Sequence, residues 1–129
     1  MIIIGSDYIG HDYFEGVHEI KDIVHTSSNT TLLFFYNLDL MEYCFKNTLP
    51  YAVILNSIQE AVFANNLGAK YLITDEHKSK AIQTVAENYM FDSKVLSIID
   101  GIEMIENVAI NGIDGVIYKK ILEGLSWVE

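Results

Sequence analysis

Most side chains that could do chemistry in this sequence follow short runs of apolar, often β-branched residues. They comprise hydroxyls, amides, carboxylates and one lysine: Ser6, Asp7, Tyr8, Asn37, Asp39, Asn56, Thr74, Asp75, Asp100 and Lys119. In open α/β sheets, ligands bind outside the carboxyl ends of the strands, so we expect these residues to form a ligand-binding rim. Carboxylates gathered there could hold Mg²⁺, which prefers oxygen ligands, or provide a general base beside a lysine.

The same residue types also have a structural interpretation. Asn, Ser, Thr and Asp after a strand are the preferred N-caps of the helix that follows, so each rim residue taken singly is more typical of a cap. Lys119 could form a Schiff base if its pKa were lowered, but the local excess of acid favours the charged ammonium group. As a group, the rim is still the expected place for a small-molecule ligand.

The segment Gly5–Tyr13 is the most unusual in the chain. Gly5 and Gly10 have the spacing of P-loop glycines, but His11 and Asp12 stand where that motif needs lysine and a hydroxyl. The dinucleotide pattern G-x-G-x-x-G is also missing. The Tyr, Asp and His side chains are typical either of a pocket lining or of an exposed connection that contacts another subunit.

Two further candidates are a histidine-containing cluster and a cysteine. His18, Asp22 and His25 have the i, i+4, i+7 spacing that would bring them onto one face of a helix, within reach of a metal ion. Because apolar residues occupy the opposite face of that helix, we expect the trio to be an ordinary solvent-facing stripe. Cys44 lies among apolar residues and is expected in the core.

The elements that must position these residues alternate along the chain. The predicted strands are Ile2–Ile4, Leu32–Tyr36, Ala52–Leu55, Tyr71–Thr74, Val95–Ile99 and Gly115–Tyr118. The predicted helices are Glu15–His25, Leu38–Asn47, Ser57–Asn66, Glu76–Tyr89 and Ile102–Asn111. Continuous apolar strands separated by helices indicate a parallel sheet covered on both faces. We therefore expect a three-layer αβα fold with a mostly parallel five- to six-stranded sheet, flavodoxin-like or Rossmann-like.

Two segments share one pattern of a helix, a glycine, a small or apolar residue and a strand. They are Glu60–Ile73 and Glu106–Ile117, and the run Gly112–Gly124 continues the second. Residues 57–124 thus resemble the βα units of phosphate-binding (βα)8-barrel enzymes, such as thiamine phosphate synthase, the histidine-pathway isomerase and the keto-deoxy-phosphogluconate aldolases. Those barrels hold phosphate with glycine-rich loops after the last two strands, whereas Ser97–Gly101 and Tyr118–Lys120 stand here. The resemblance therefore implies a βα architecture and no catalytic residue.

Composition excludes several classes of function. The formal net charge is −10, with eight lysines and no arginine, which disfavours nucleic acids and anionic membranes as partners. The 129 residues, 1–129, suit one α/β domain. A single cysteine and an amino terminus without signal-peptide features predict a cytoplasmic protein.

The sequence leaves two classes of function open. The favoured one is a non-catalytic ligand-binding or assembly protein, because no sharp catalytic motif is present and aromatic residues are abundant. The alternative is a small lyase, isomerase or hydrolase that acts on a polar metabolite at the rim, with or without Mg²⁺. Apolar residues near both termini predict a homodimer; they are Tyr8, Tyr13, Phe14, Val17, Ile20, Val24, Trp127 and Val128.

Overall fold

The computed structural model describes residues 1–124, which contain seven strands and seven helical segments. The strands are β1 (Ile2–Ile4), β2 (Phe14–Gly16), β3 (Thr31–Phe35), β4 (Tyr51–Ile54), β5 (Tyr71–Thr74), β6 (Lys94–Ile99) and β7 (Gly115–Tyr118). The α-helices are α1 (Leu38–Lys46), α2 (Ile58–Asn66), α3 (Glu76–Asn88), α4 (Ile105–Ile110) and α5 (Lys119–Glu123). Two 3-10 helices cover Ile20–His25 and Ile102–Met104.

All seven strands belong to one parallel, curled sheet with the order β1-β7-β6-β5-β4-β3-β2. Strands that follow one another from β2 to β7 are therefore neighbours, and β1 returns to pair with β7 at the far edge. In doubly wound sheets the order in which successive strands are added reverses at a switch point. Here each strand from β3 to β7 is added on the same side of the strand before it. Right-handed crossovers between such neighbours place successive helices on the same face of the sheet.

The sheet confirms the predicted parallel α/β class and corrects the strand number. Residues 1–124 contain seven strands rather than five to six, and the strand order differs from the doubly wound orders of flavodoxin-like and Rossmann-like folds. The extra strand is β2, which lies at the start of the predicted helix Glu15–His25. Only the 3-10 helix Ile20–His25 forms there, because Phe14 and Gly16 are buried beside β3 with Glu15 between them, the alternation of a strand.

Each face of the sheet has its own apolar core. On the outer face, Leu72 of β5 and Val95 of β6 pack in one cluster with helix residues such as Met41 and Ala64. The inner face is filled mainly by strand side chains such as Leu33, Ala52, Ile73, Leu96 and Ile117. Among helices, α5 contributes to this inner cluster through Ile121 and Leu122. The outer helices and the inner strand cluster explain why the strands are apolar on both faces.

The connection from β1 to β2 contains no helix and begins at a glycine that the fold requires. Gly5 has a φ of +113°, a backbone conformation that residues with a side chain rarely adopt. A Cβ atom at this position would come within 2.8 Å of Tyr118 Cβ and 2.9 Å of Ile121 Cγ1. The absence of a side chain at Gly5 therefore allows the end of β1 to pack closely against Tyr118 of β7 and Ile121 of α5.

The helix ends follow the sequence closely. The Ser57 side chain accepts a hydrogen bond from Glu60 N at 3.1 Å, the contact expected of an N-cap. Gly68 and Gly112 have positive φ angles just after α2 and α4, as predicted. None of the helices in residues 1–124 is long and apolar enough to cross a membrane.

Candidate functional site

The carboxyl ends of the strands carry the predicted rim residues, and two of these residues, Asn37 and Asp75, cap the helices that follow them. Asn37 Oδ1 accepts a hydrogen bond from Leu40 N at 3.1 Å and caps α1. Asp75 Oδ1 accepts from His77 N at 2.9 Å and from Lys78 N at 3.0 Å, and so caps α3. Ser57 caps α2 in the same way. These side chains satisfy the free N–H groups of a helix and are committed to that role.

Thr74 lies at the rim in sequence but its side chain faces the helices. It shares a strand face with Leu72, in the outer core, and is 1% exposed. Ser97, its partner across β5 and β6, is equally buried on the same face. Neither hydroxyl has a hydrogen-bond partner in the described part of the chain. Thr74 therefore cannot contact a ligand at the mouth of the sheet.

The remaining rim residues are exposed or lie in separate places. Asp39, Asn56, Asp100 and Lys119 face solvent, while Ser6 Oγ accepts a hydrogen bond from the backbone of the fully exposed Tyr8. Asp7 lies 3.9 Å from Lys120, in an exposed ion pair. Small separate cavities lie at Asn37 and Asp39, and at Asn56 and Ser57, with volumes of about 360 and 210 Å³. The rim residues thus do not gather around one shared pocket.

The histidine-containing trio is not on a helix face as predicted. Asp22 is buried, and its carboxylate accepts hydrogen bonds from His18 N at 2.9 Å and Glu19 N at 3.0 Å. The backbone hydrogen bond from His18 lowers the pKa of Asp22 below its usual value. His18 and His25 are exposed. Within residues 1–124, no three His, Cys, Asp or Glu side chains are grouped closely enough to hold a metal ion.

A polar cluster that the sequence did not reveal lies at the opposite, amino end of the sheet. Asp12 Oδ2 accepts a hydrogen bond from Lys70 Nζ at 2.6 Å and another from Tyr71 OH at 3.0 Å. Tyr71 faces the inner core, and Phe14 packs against its ring. Asp12 therefore ties the connection between β1 and β2 to β5, across the inner side of the sheet. Its position in the unusual segment Gly5–Tyr13 was the only available sequence signal.

The hydrogen bonds in this cluster fix the protonation states of its members. The hydrogen bond from Lys70 is the main cause that lowers the pKa of Asp12. Burial, together with the Asp12 charge, raises the pKa of Tyr71 to about 12. At neutral pH, Asp12 is consequently a carboxylate and Tyr71 a protonated donor, the states that their hydrogen bond requires.

A cleft of about 800 Å³ opens beside this cluster, and we call it the amino-end cleft. Its walls include Ile2, Leu49, Pro50, Tyr71, Lys70, Asp92 and Lys94. Ser93 is buried between the last two, and its Oγ donates a hydrogen bond to Ala69 O at 2.6 Å. Asp92 and Lys94 are both exposed, and neither has an ion pair or side-chain hydrogen bond within residues 1–124. One wall thus presents a free anion and a free cation beside apolar surface.

Cys44 also borders the cleft, but not as a reactive thiol. The side chain is buried, as predicted, and burial raises its pKa to about 11. The thiol is therefore protonated at neutral pH, and only the thiolate is a strong nucleophile.

Comparison with known proteins does not assign this chain to a family. The sequence matches no protein-family model, and no curated protein is significantly similar to it. What the protein binds must therefore be argued from the geometry of its own residues.

Proposed function

We propose that this protein is a non-catalytic ligand-binding domain whose site is the amino-end cleft. The ligand class is a small zwitterion with an apolar body, such as an apolar amino acid. The observation that carries the proposal is the pairing of unengaged Asp92 and Lys94 on one wall of an otherwise largely apolar cleft. Clefts of about 300–1,000 Å³ with apolar walls and a few polar groups are typical of small-molecule sites.

The local backbone supports recognition of two opposite charges at once. Asp92 and Lys94 both line the cleft, and the two hydrogen bonds of buried Ser93, from its N–H to Asn65 Oδ1 and from its Oγ to Ala69 O, hold the backbone between them. A ligand carboxylate would bind Lys94, its ammonium group would bind Asp92, and its body would cover Ile2 and Leu49. Because both side chains are exposed, we expect each of these charge-assisted hydrogen bonds to contribute about 1.4 kcal/mol, below the usual range of about 1.5–3 kcal/mol.

A binding role suits the protonation states of the neighbouring groups. General acid–base catalysis works best when a group titrates near the working pH. The pKa of Tyr71 is about 12 and that of Cys44 about 11, while the pKa of Asp12 is lowered. These three groups hold fixed protonation states at neutral pH, so none of them is suited to exchange protons with a ligand there.

The test compares three related probes by ligand-observed NMR. Phenylalanine carries both charges, phenylpropionate lacks the ammonium group and phenethylamine lacks the carboxylate. We expect phenylalanine to bind most tightly, and each truncated probe to lose about tenfold in affinity for about 1.4 kcal/mol of missing interaction. Lys94→Gln should abolish the preference for the carboxylate, and Asp92→Asn the preference for the ammonium group.

Matched variants at the other end of the sheet test the rim alternative. Lys119→Gln and Asp100→Asn remove the same charges from the exposed rim and should leave phenylalanine binding unchanged. Equal binding of all three probes would contradict the proposal. Loss of binding in the rim variants alone would favour the alternative, a small enzyme at the rim. Binding of inorganic phosphate there would support the resemblance to phosphate-binding barrels.

We also propose that the protein is a homodimer, because apolar side chains on both sides of the edge strand β2 are exposed. Tyr8 is 97% exposed, Tyr13 62% and Val24 80%, whereas Phe14 and Val17 belong to the core. Trp127 and Val128, the other half of this prediction, lie outside the described residues. Sedimentation of the unmodified protein should report a dimer, and Tyr8→Ser with Tyr13→Ser should weaken it. A monomer at tens of micromolar would disprove the dimer.

A cytoplasmic location is proposed on the chemistry of Cys44. The single cysteine is buried and protonated, and with no second cysteine it cannot form a disulfide within the chain. Proteins of oxidising compartments often contain disulfides, whereas cytoplasmic proteins rarely do. Fractionation of cells that produce the protein should recover it with cytoplasmic enzymes, and recovery from a secreted fraction would contradict this.

A further inference from the structure

An apolar groove lies on the outer surface between α1 and α2, and none of its lining residues belongs to the amino-end cleft. Leu38, Val62, Phe63 and Leu67 line it, and its volume is about 520 Å³. Leu38 is 48% exposed and Phe63 45%. α2 packs closely against α3 but makes little contact with α1, which leaves the groove open.

We propose that this groove binds an amphipathic helix of a partner protein, with basic residues flanking its apolar face. Grooves between helices accept such partners through apolar anchors spaced along one helix face. Phe63 and Leu38 provide the apolar floor and rim for these anchors. This inference does not depend on the proposed ligand.

The charge of the groove specifies a basic partner. Its charged lining residues are Asp39 and Glu42, both acidic. Glu42 forms an exposed ion pair with Lys46, with 3.6 Å between Oε1 and Nζ. Asp39 has no ion pair within residues 1–124. The whole chain carries a net charge of −10, which adds a long-range attraction for a basic helix.

The same charges argue against a second copy of this chain as the occupant. A two-fold contact brings the same surface of each copy together. Asp39 and Glu42 would then approach their own counterparts, and like charges across an interface are unfavourable. The groove and the exposed residues near β2 thus serve different partners.

Fluorescence anisotropy can test the proposal with a short, labelled synthetic helix of leucine and lysine only, with the leucines along one face. We expect it to bind the unmodified protein, and a peptide with glutamate in place of each lysine not to bind. Leu38→Ser combined with Phe63→Ser should reduce the affinity at least about tenfold, the effect of about 1.4 kcal/mol. Both side chains are about half exposed, so the folded state should survive, and circular dichroism will check it.

Two controls separate groove binding from general attraction to an acidic protein. Ile110→Ser removes an exposed apolar residue elsewhere and should leave the affinity unchanged. Asp39→Asn with Glu42→Gln should weaken binding more than Glu103→Gln with Glu106→Gln, which removes two charges at a distant exposed site. Equal losses in the two charge variants, or no loss in the groove variant, would overturn the proposal. So would a dimer that the groove variant dissociates.

Discussion

The two ends of the parallel sheet use polar residues in opposite ways. At the carboxyl end, Asn37, Ser57 and Asp75 each bind the backbone of the helix that they begin. At the amino end, Asp12 and Tyr71 bind each other, although they are far apart in sequence. Local hydrogen bonds therefore dominate one end, and tertiary hydrogen bonds the other.

The difference follows from the direction of the helices. A helix that starts after a strand presents free N–H groups at the carboxyl end of the sheet, and an Asn, Ser or Asp side chain at the N-cap position accepts hydrogen bonds from them. At the amino end, helices finish and present carbonyl groups, which a carboxylate cannot satisfy. Asp12 is consequently available to Lys70 and Tyr71. A polar residue placed where no helix begins is therefore more apt to contact a residue distant in sequence, as Asp12 contacts Tyr71.

Among the variants considered, Gly5→Ala should lower the free energy of unfolding most, because it disrupts the carboxyl end of the sheet where β1 meets α5. The new Cβ would lie 2.8 Å from Tyr118 Cβ, on a backbone with a φ of +113°. Steric overlap and backbone strain together should lower the free energy of unfolding by about 3 kcal/mol. Gly10→Ala is the matched control, since no atom lies within 4 Å of its added Cβ. Urea unfolding of both variants measures the difference, and similar losses would contradict it.

At the amino end, Tyr71 should make stability depend on alkaline pH. The pKa of Tyr71 is about 12 in the folded protein and 10.0 as the ordinary value. Between pH 10 and 12 the unfolded chain loses the Tyr71 proton more readily than the folded protein does, so the free energy of unfolding falls as the pH rises. The contribution of Tyr71 to stability is therefore complete below pH 10 and is lost as the pH rises through 12. The two-unit difference corresponds to at most about 3 kcal/mol. In urea unfolding, Tyr71→Phe should make this decline between pH 10 and 12 shallower without removing it, because burial also raises the pKa of Tyr51 and Tyr36. An unchanged slope in the variant would contradict the assignment to Tyr71.

Substitutions of Asp12 at the amino end and Asp7 at the carboxyl end compare how much one carboxylate stabilises each end of the sheet. Asp12→Asn should cost about 1 kcal/mol, a modest value because Lys70 is half exposed. Asp7→Asn should change nothing measurable, because its pair with Lys120 is long and exposed. The lowered pKa of Asp12 stabilises the folded state above the ordinary value of 3.8, and the contribution disappears as the pH falls through the lower folded value. The two variants should therefore converge in acid, and a gap that persists at low pH would refute this account.

Substitutions at two neighbouring rim positions should change stability by up to about 1 kcal/mol, with opposite signs. Thr74→Val removes a buried hydroxyl that has no partner in the described chain, and should stabilise the protein by up to about 1 kcal/mol. Asp75→Ala removes the N-cap of α3 and should destabilise it by about 1 kcal/mol. Thermal unfolding distinguishes them. A destabilised Thr74→Val protein would show that the hydroxyl has a partner.

The sequence predicted local features well and tertiary features poorly. Three strands, including Tyr71–Thr74, have the predicted bounds, and the N-cap at Ser57 and the glycine ends at Gly68 and Gly112 also follow from local patterns. β2 was missed because Phe14–Gly16 holds only one apolar side chain and is too short to show a period, whereas β1 consists of three isoleucines. The contact between Asp12 and Tyr71 was missed because nothing in the order of residues indicates which loop crosses the inner face.

The pairing of β1 with β7 has a consequence for the order in which the chain can fold. From β2 onward, each strand finds its neighbour one unit later, so the sheet can grow as the chain leaves the ribosome. β1 precedes the other six described strands along the chain, yet its partner β7 is the last of the seven. Ile2–Ile4 must therefore wait unpaired through most of synthesis, and closing so long a loop costs more entropy than any other pairing in the sheet. We therefore expect β1 to be the last strand to join the sheet, and the edge of β7 to stay unpaired until it does.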